Sequence, residues 1–285
     1  MEASSAGAEA YEGYIGRWSR GVAADFLSWL AIPPQVAWFD VACGTGALAQ
    51  TVVSTCAPER VDASDPDHLR IAFARRNSPD FGVSFAVGDA THIAAPDATY
   101  GAVICGLGFP AISDTAGALA EFIRVTKPAG TVGAYVWDFD GEMQLLRYFW
   151  NEAAELEPGA EESDDERFAI CRPERLRVAW QRAGLSAVET CALDTRAHFC
   201  DFDDFWRPFL SGDAPAQAYV QSLDGRRRAL LRERLRSKLP IAADGSIALV
   251  TRAWAVKGIR SAGQLASLSL CANGTLLSEC SVSYR

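Results

Sequence analysis

Histidine and methionine are scarce in this chain, with 3 and 2 copies in 285 residues. His68, His92 and His198 are scattered, so spacing offers no metal site among them. The 8 cysteines form no Cys-x-x-Cys pair and recur at irregular intervals, which argues against a zinc or disulfide framework. No uninterrupted apolar run is long enough to span a bilayer. Residues 1–12 are small and acidic with no apolar signal core, so the expected location is cytoplasmic. Basic excess is missing as well: the net charge of -9 opposes general affinity for nucleic-acid phosphates. What remains is a chain with 49% apolar residues, long enough for one large α/β domain with a substantial core.

The most informative stretch is Trp38-Phe39-Asp40-Val41-Ala42-Cys43-Gly44-Thr45-Gly46-Ala47-Leu48-Ala49. An apolar run ends in an acid, breaks into a glycine turn and restarts as a small-residue helix. Gly44 and Gly46 lack the Cβ atoms that would hold a ligand away from the backbone. A nucleoside-containing ligand is therefore expected. The turn alone also satisfies the loose dinucleotide fingerprint, which leaves a nicotinamide cofactor open. Asp40 would repel a pyrophosphate, but it suits a ligand carrying an amino group and a sulfonium, as S-adenosylmethionine does. A second strand ends at Asp65, followed by Pro66. It lies about 20 residues past the glycines, where a strand-end acid meets ribose hydroxyls. A third strand closes in Gly88-Asp89-Ala90, and an acid there can accept a hydrogen bond from an adenine amino group.

Taken in order, Asp40 to Gly46, Asp65, Gly88-Asp89-Ala90 and Arg124-Val125-Thr126-Lys127-Pro128-Ala129-Gly130 resemble the class I S-adenosylmethionine-dependent methyltransferases. Within that family the chain is most similar to the ubiquinone/menaquinone-biosynthesis type (methyltransferase type 11-like), over about residues 11–258. The resemblance implies an α/β, Rossmann-like fold. Its seven-stranded, mostly parallel sheet would carry helices on both faces and a helical insertion before the last strand. It implies S-adenosyl-L-methionine as cofactor, held by Asp40, Ala42, Cys43, Gly44, Gly46, Asp65, Pro66, Asp89, Ala90 and Cys105. Tyr14, Arg17 and Trp18 would join them from an N-terminal segment that covers the cofactor. The chain departs from the pattern at Ala42, where the family has a glycine, and at Ala129, where a second glycine often follows the proline.

The chain alternates strand and helix patterns, which independently argues for a mostly parallel sheet covered on both faces. Strands are expected at 36–41, 60–65, 83–88, 102–106 and 131–137, with a final antiparallel pair at 187–199 and 246–257. The domain is expected to span 1–258, with a covering segment at 11–35, a cofactor-binding core at 36–140 and a lid-like insertion at 201–240. Residues 259–285 read as a tail with no regular element. Cys43 and Cys105 read as small buried hydrophobes. Arg226 to Lys238 forms a basic helix with Leu231, Leu235 and Leu239 opposite, either a solvated face or a patch for an acidic partner.

Methyl transfer from a sulfonium is an in-line displacement that depends mainly on alignment. A base is needed only where the acceptor must first lose a proton. Asp138 and His198, at the ends of the fifth and sixth strands, are the candidates, and each also reads as structural or solvated. The expected acceptor is a small, partly apolar molecule, and the expected state a monomer or homodimer. Two other functions stay open: a nicotinamide-dependent oxidoreductase, and a non-catalytic adenosylmethionine-binding module.

Overall fold

The computed structural model describes residues 17–78, 82–139, 141–159, 168–212 and 214–262. Its first element is helix α1 (Arg17–Leu30). Val22, Ala23, Phe26 and Leu30 recur there at helical spacing and are all buried. Strand β1 (Ala37–Val41) follows, with all five residues buried because the sheet is covered on both faces. Helix α2 (Ala47–Cys56), β2 (Arg60–Asp65), α3 (His68–Asn77) and β3 (Val83–Val87) complete the first half. The second half holds β4 (Tyr100–Gly106), α4 (Thr115–Val125), β5 (Thr126–Trp137), α5 (Gln144–Leu156), α6 (Pro173–Arg182) and β6 (Ser186–Phe199). Three helices, α7 (Phe202–Trp206), α8 (Pro215–Ser222) and α9 (Gly225–Lys238), then lead to β7 (Ile247–Ile259).

Local chemistry sets several boundaries. Asp67, Asp114 and Asp224 cap α3, α4 and α9 by accepting backbone N–H bonds, and Pro173 opens α6 where no amide is needed. Strand β5 begins at Thr126, five residues before the expected start. Thr126 pairs with Tyr100, the register then shifts, and Ala129 turns into the left-handed region at φ 61°. An extra loop of strand is accommodated there as a bulge.

The seven strands lie in the order β3-β2-β1-β4-β5-β7-β6. Strands β1 to β5 pair in parallel, and β7 runs antiparallel to both β5 and β6. This is the α/β, Rossmann-like arrangement expected, a seven-stranded and mostly parallel sheet. β7 continues two residues past the expected end because Ile259 still pairs with Thr131 of β5. Arg260 follows, buried, with its guanidinium donating to the carbonyls of Arg124 and Thr126 at the end of α4. Residues 263–285, expected as an irregular tail, lie outside the described residues.

One core gathers α1, α2, α3, α5 and the insertion helices on one face. The other gathers α4, α6 and the opposite side of the strands. Phe209 of the insertion stacks on Phe149 of α5 at 4.6 Å, and Phe205 meets Phe199 of β6 at 5.3 Å. Each such ring contributes about 1.5–3 kcal/mol by burial, so the insertion is fastened to the sheet rather than draped over it. The basic helix α9 buries Leu231 and Leu235 and spends its arginines locally. Arg234 pairs with Glu152 of α5 at 2.8 Å, Arg232 with Asp203 at 2.6 Å, and Arg232 and Arg236 cover the Phe202 ring.

Candidate functional site

The chain order reverses between β1 and β4, and the crevice at the carboxyl ends of these strands is where open α/β sheets bind ligands. The turn leaving β1 is unusual. Ala42, Gly44 and Gly46 all take positive φ, at 54°, 56° and 88°. Cys43 N donates to Ser64 O at 3.0 Å, and Gly46 N to Cys43 O at 2.9 Å, which ties the turn to β2. The two glycines do different work. A Cβ on Gly46 would lie 2.8 Å from the Phe85 ring, so this position is closed by packing. A Cβ on Gly44 would meet nothing within 4 Å, so this side of the turn faces open space. Helix α2 starts at Gly46 with no side-chain cap, and its free N–H groups favour a polar or anionic neighbour.

Two carboxylates sit beneath this turn. Asp65 is 3% exposed. Its Oδ2 accepts from Gly44 N at 2.9 Å and its Oδ1 from Asp67 N at 3.0 Å, which holds the carboxylate at the mouth of the turn. Each oxygen keeps a further lone pair for a hydroxyl donor. Asp40 is fully buried, and among the described residues neither of its oxygens has a partner within hydrogen-bond distance. Burial pushes its carboxyl well above the usual carboxylate range; the nearby Ala49 amide opposes this, and the charge of Asp65 adds to it. A buried acid without partners is costly unless a proton or a cationic ligand offsets it. The Cys43 and Cys105 thiols are pushed up by burial first, and then by Asp40 and Asp65, so both stay protonated small side chains.

Asp89 is exposed beyond β3. Its Oδ1 accepts from Thr91 N at 2.8 Å and from Thr91 Oγ1 at 2.9 Å, and these bonds lower its carboxyl below the usual value. Ala90 beside it is buried, and Pro66 after β2 is exposed. The fold thus brings Asp40, Ala42, Cys43, Gly44, Gly46, Asp65, Pro66, Asp89, Ala90 and Cys105 to one end of β1–β4. Trp18 is buried edge-on against Phe199 of β6, at 5.1 Å and 61°. Tyr14 and the Arg17 side chain lie outside the described residues.

Asp138 follows β5, two strands from β1, or about 10 Å across the sheet. It is 7% exposed, its Oδ2 accepts from Glu142 N at 2.9 Å, and its carbonyl accepts from Met143 N at 3.2 Å. These bonds hold the turn into α5. His198 is exposed on β6, four strands from β1, or about 19 Å away. Neither side chain is brought to Asp40. One residue that the sequence reading passed over does belong to the crevice. Leu107, just past β4, is held at φ 64° with its N–H on Tyr135 O at 2.8 Å. Such strain in a non-glycine residue clusters at ligand sites, and its flanking Gly106 and Gly108 were the available signal. A Cβ on Gly108 would lie 2.7 Å from Ala42 Cβ, so this loop packs directly on the β1 turn.

Comparison with known proteins decides what this crevice belongs to. Residues 39–130, which contain Asp40, Asp65, Asp89 and the glycines of the β1 turn, match a family described as a methyltransferase domain. The chain is 34% identical over 115 residues to a demethylmenaquinone methyltransferase of Deinococcus radiodurans, covering 40% of this chain and 46% of that protein. It is 26% identical over 128 residues to a 2-methyl-6-phytyl-1,4-hydroquinone methyltransferase of Synechocystis, covering 42% and 37%. The chain thus spans less than half the length of these relatives. Among solved structures, phosphoethanolamine N-methyltransferase 2 of Haemonchus contortus, in complex with S-adenosyl-L-methionine, superposes with a TM-score of 0.55 at 16% identity. That match covers 90% of this chain and 57% of the other, and it shows a shared fold. The matched segment runs from β1 to the start of β5, while α5, α6, the insertion and β7 lie beyond it.

Proposed function

We propose that this chain is an S-adenosylmethionine-dependent methyltransferase acting on a small-molecule acceptor. The observation that carries the reading is Asp40, a fully buried acid whose two oxygens have no hydrogen-bond partner among the described residues, beneath an open glycine turn. A cationic ligand offsets such a group; the pyrophosphate of a nicotinamide cofactor would add two negative charges beside it. When bound, S-adenosylmethionine supplies a methyl group activated on a sulfonium. In this reading Asp40 offers the negative field for the ligand's cationic end. Asp65, fixed by Gly44 N and Asp67 N, takes the ribose hydroxyls, and the second oxygen of Asp89 takes the adenine amino group. The loop carrying Leu107 and Gly108 packs on Ala42 and closes one side, and excluding water there strengthens the field inside.

The names of the relatives support an acceptor of quinol-like character, small and ring-bearing. Asp138 is the nearer of the two base candidates, though its present bonds make it a turn-holding residue. Among the described residues no helix is long and apolar enough to cross a membrane. A cytoplasmic monomer or homodimer is the working picture.

The test is a calorimetric titration with S-adenosylhomocysteine, run beside NADH and repeated on Asp65→Ala and Asp89→Ala. Micromolar binding of adenosylhomocysteine, weakened at least tenfold in both variants and absent for NADH, supports the reading. Binding of NADH in its place sinks it. Because Asp65 also holds the turn, the exposed Asp89 variant separates ligand loss from misfolding.

A further inference from the structure

A second concavity lies on the other face of the sheet. It is a groove of about 430 Å3 between the loop leading into α4 and helix α6. That volume falls within the roughly 300–1,000 Å3 typical of small-molecule sites. Its floor is apolar, with Ile112 from the loop, Ile170 from the short turn Ala169–Cys171, and Val178 and Ala179 from α6. At either end of the helical stripe stands a cation, Arg175 and Arg182. Positions 175, 178, 179 and 182 follow the i, i+3, i+4, i+7 pattern, so they share one face of α6. Leu176 and Trp180 on the adjoining face are fully buried in the core.

Two features separate this groove from ordinary surface. Val178 leaves 38% of itself exposed inside it, an apolar side chain that a ligand could cover. Arg175 and Arg182 make no ion pair or hydrogen bond among the described residues, whereas Arg234 and Arg232 of α9 are engaged by Glu152 and Asp203. The two guanidiniums stand two turns apart, about 10 Å along the helix axis. Apolar floor between unspent cations is complementary to an elongated apolar body with an anionic end.

We infer that this groove binds an amphipathic carboxylate, laid along α6 with its charged end on Arg175 or Arg182. The site is separate from the crevice beneath the glycine turn. The two share one wall: the loop carrying Leu107 and Gly108 packs on Ala42 and continues into Pro110 and Ile112 of the groove. The inference does not depend on which cofactor the crevice takes.

The experiment titrates the full chain with dodecanoate below its micelle concentration, by calorimetry, beside dodecanedioate, dodecanol and acetate. The expected result is one site per chain for dodecanoate, at least tenfold tighter than for dodecanol, and no heat with acetate. Arg175→Gln with Arg182→Gln weakens dodecanoate at least tenfold and leaves S-adenosylhomocysteine affinity and the melting temperature as in the parent. Val178→Asp weakens it as well, by closing the apolar floor to an anion. Tighter binding of dodecanedioate assigns both arginines, and unchanged binding assigns one. Equal binding of dodecanoate to the double-arginine variant overturns the inference, as does equal binding of dodecanol. Binding only to phosphatidylglycerol vesicles, with none to free dodecanoate, overturns it in favour of a membrane surface.

Discussion

Around β6, β7 and the helices between them, acids repeatedly meet guanidiniums. Asp194 takes a two-point contact from Arg252 at 2.6 and 2.8 Å, Asp203 meets Arg232 at 2.6 Å, and Glu152 meets Arg234 at 2.8 Å. At the carboxyl ends of β1 and β2 the pattern inverts. Among the described residues, Asp40 is buried with no hydrogen-bond partner, and Asp65 is held by the backbone N–H groups of Gly44 and Asp67. The first region spends its charges on holding helices to strands. The second leaves a buried carboxyl without a counter-charge, which is the arrangement the proposed ligand site calls for. The difference also separates where stability and binding reside, and substitutions in the two regions should divide accordingly.

The largest effect is expected at the closed glycine. Gly46→Ala adds a Cβ 2.8 Å from the Phe85 ring at a φ of 88°, and should lower stability by about 3 kcal/mol in urea unfolding. Gly44→Ala, with open space around it, should cost only the left-handed strain of about 1 kcal/mol while obstructing the ligand. Equal losses in the two variants would erase the distinction drawn between them.

Asp40→Asn should lower adenosylhomocysteine affinity about 100-fold and yet leave the free protein more stable than the parent at neutral pH. The sign follows from the raised carboxyl of the folded state. Below the unfolded value, near about 3.9, the acid is protonated in both states and contributes nothing. As pH rises past that value the unfolded chain ionises first, so the parent loses stability until the folded group ionises too. The parent and Asp40→Asn should therefore melt alike near pH 3.5 and diverge by pH 7. A constant gap across that window would show that the acid is not the cause.

In the paired region, Glu152→Ala should cost about 1–2 kcal/mol and leave adenosylhomocysteine binding unchanged, because Arg234 keeps some solvent and a second acid, Glu155, at 3.6 Å. The smallest effect is expected at Ala42→Gly. Relieving a φ of 54° should raise stability by about 0.5 kcal/mol, part of the gain being lost with the Ala42 contact to the loop at Gly108. Thermal melts of the two variants would show whether the regions divide as described.

Much of this was legible before any coordinates. Helix 47–56 and strand 60–65 fall where the residue pattern puts them, because apolar periodicity and turn chemistry act over a few residues. The acids at the ends of β1, β2 and β3 were visible for the same reason, since each closes a strand. The early start of β5 and the late end of β7 were not. Both depend on partners far away in sequence: Tyr100 and the bulge at Ala129 in one case, Thr131 across the sheet in the other. Trp18 reads as a ring available to a ligand, and instead packs on Phe199, 181 residues later in the chain.

What the amino-acid order determined by itself, then, is local: the alternation of strands and helices, the caps, and the glycine turn that needs positive φ. Which charges are paired and which are left alone was decided only in three dimensions. Glu152 and Arg234 are 82 residues apart, and Asp40 is isolated by strands and helices drawn from both halves of the chain. Conformational preference is a property of a residue and its near neighbours. Desolvation and pairing belong to whatever the completed fold places around it.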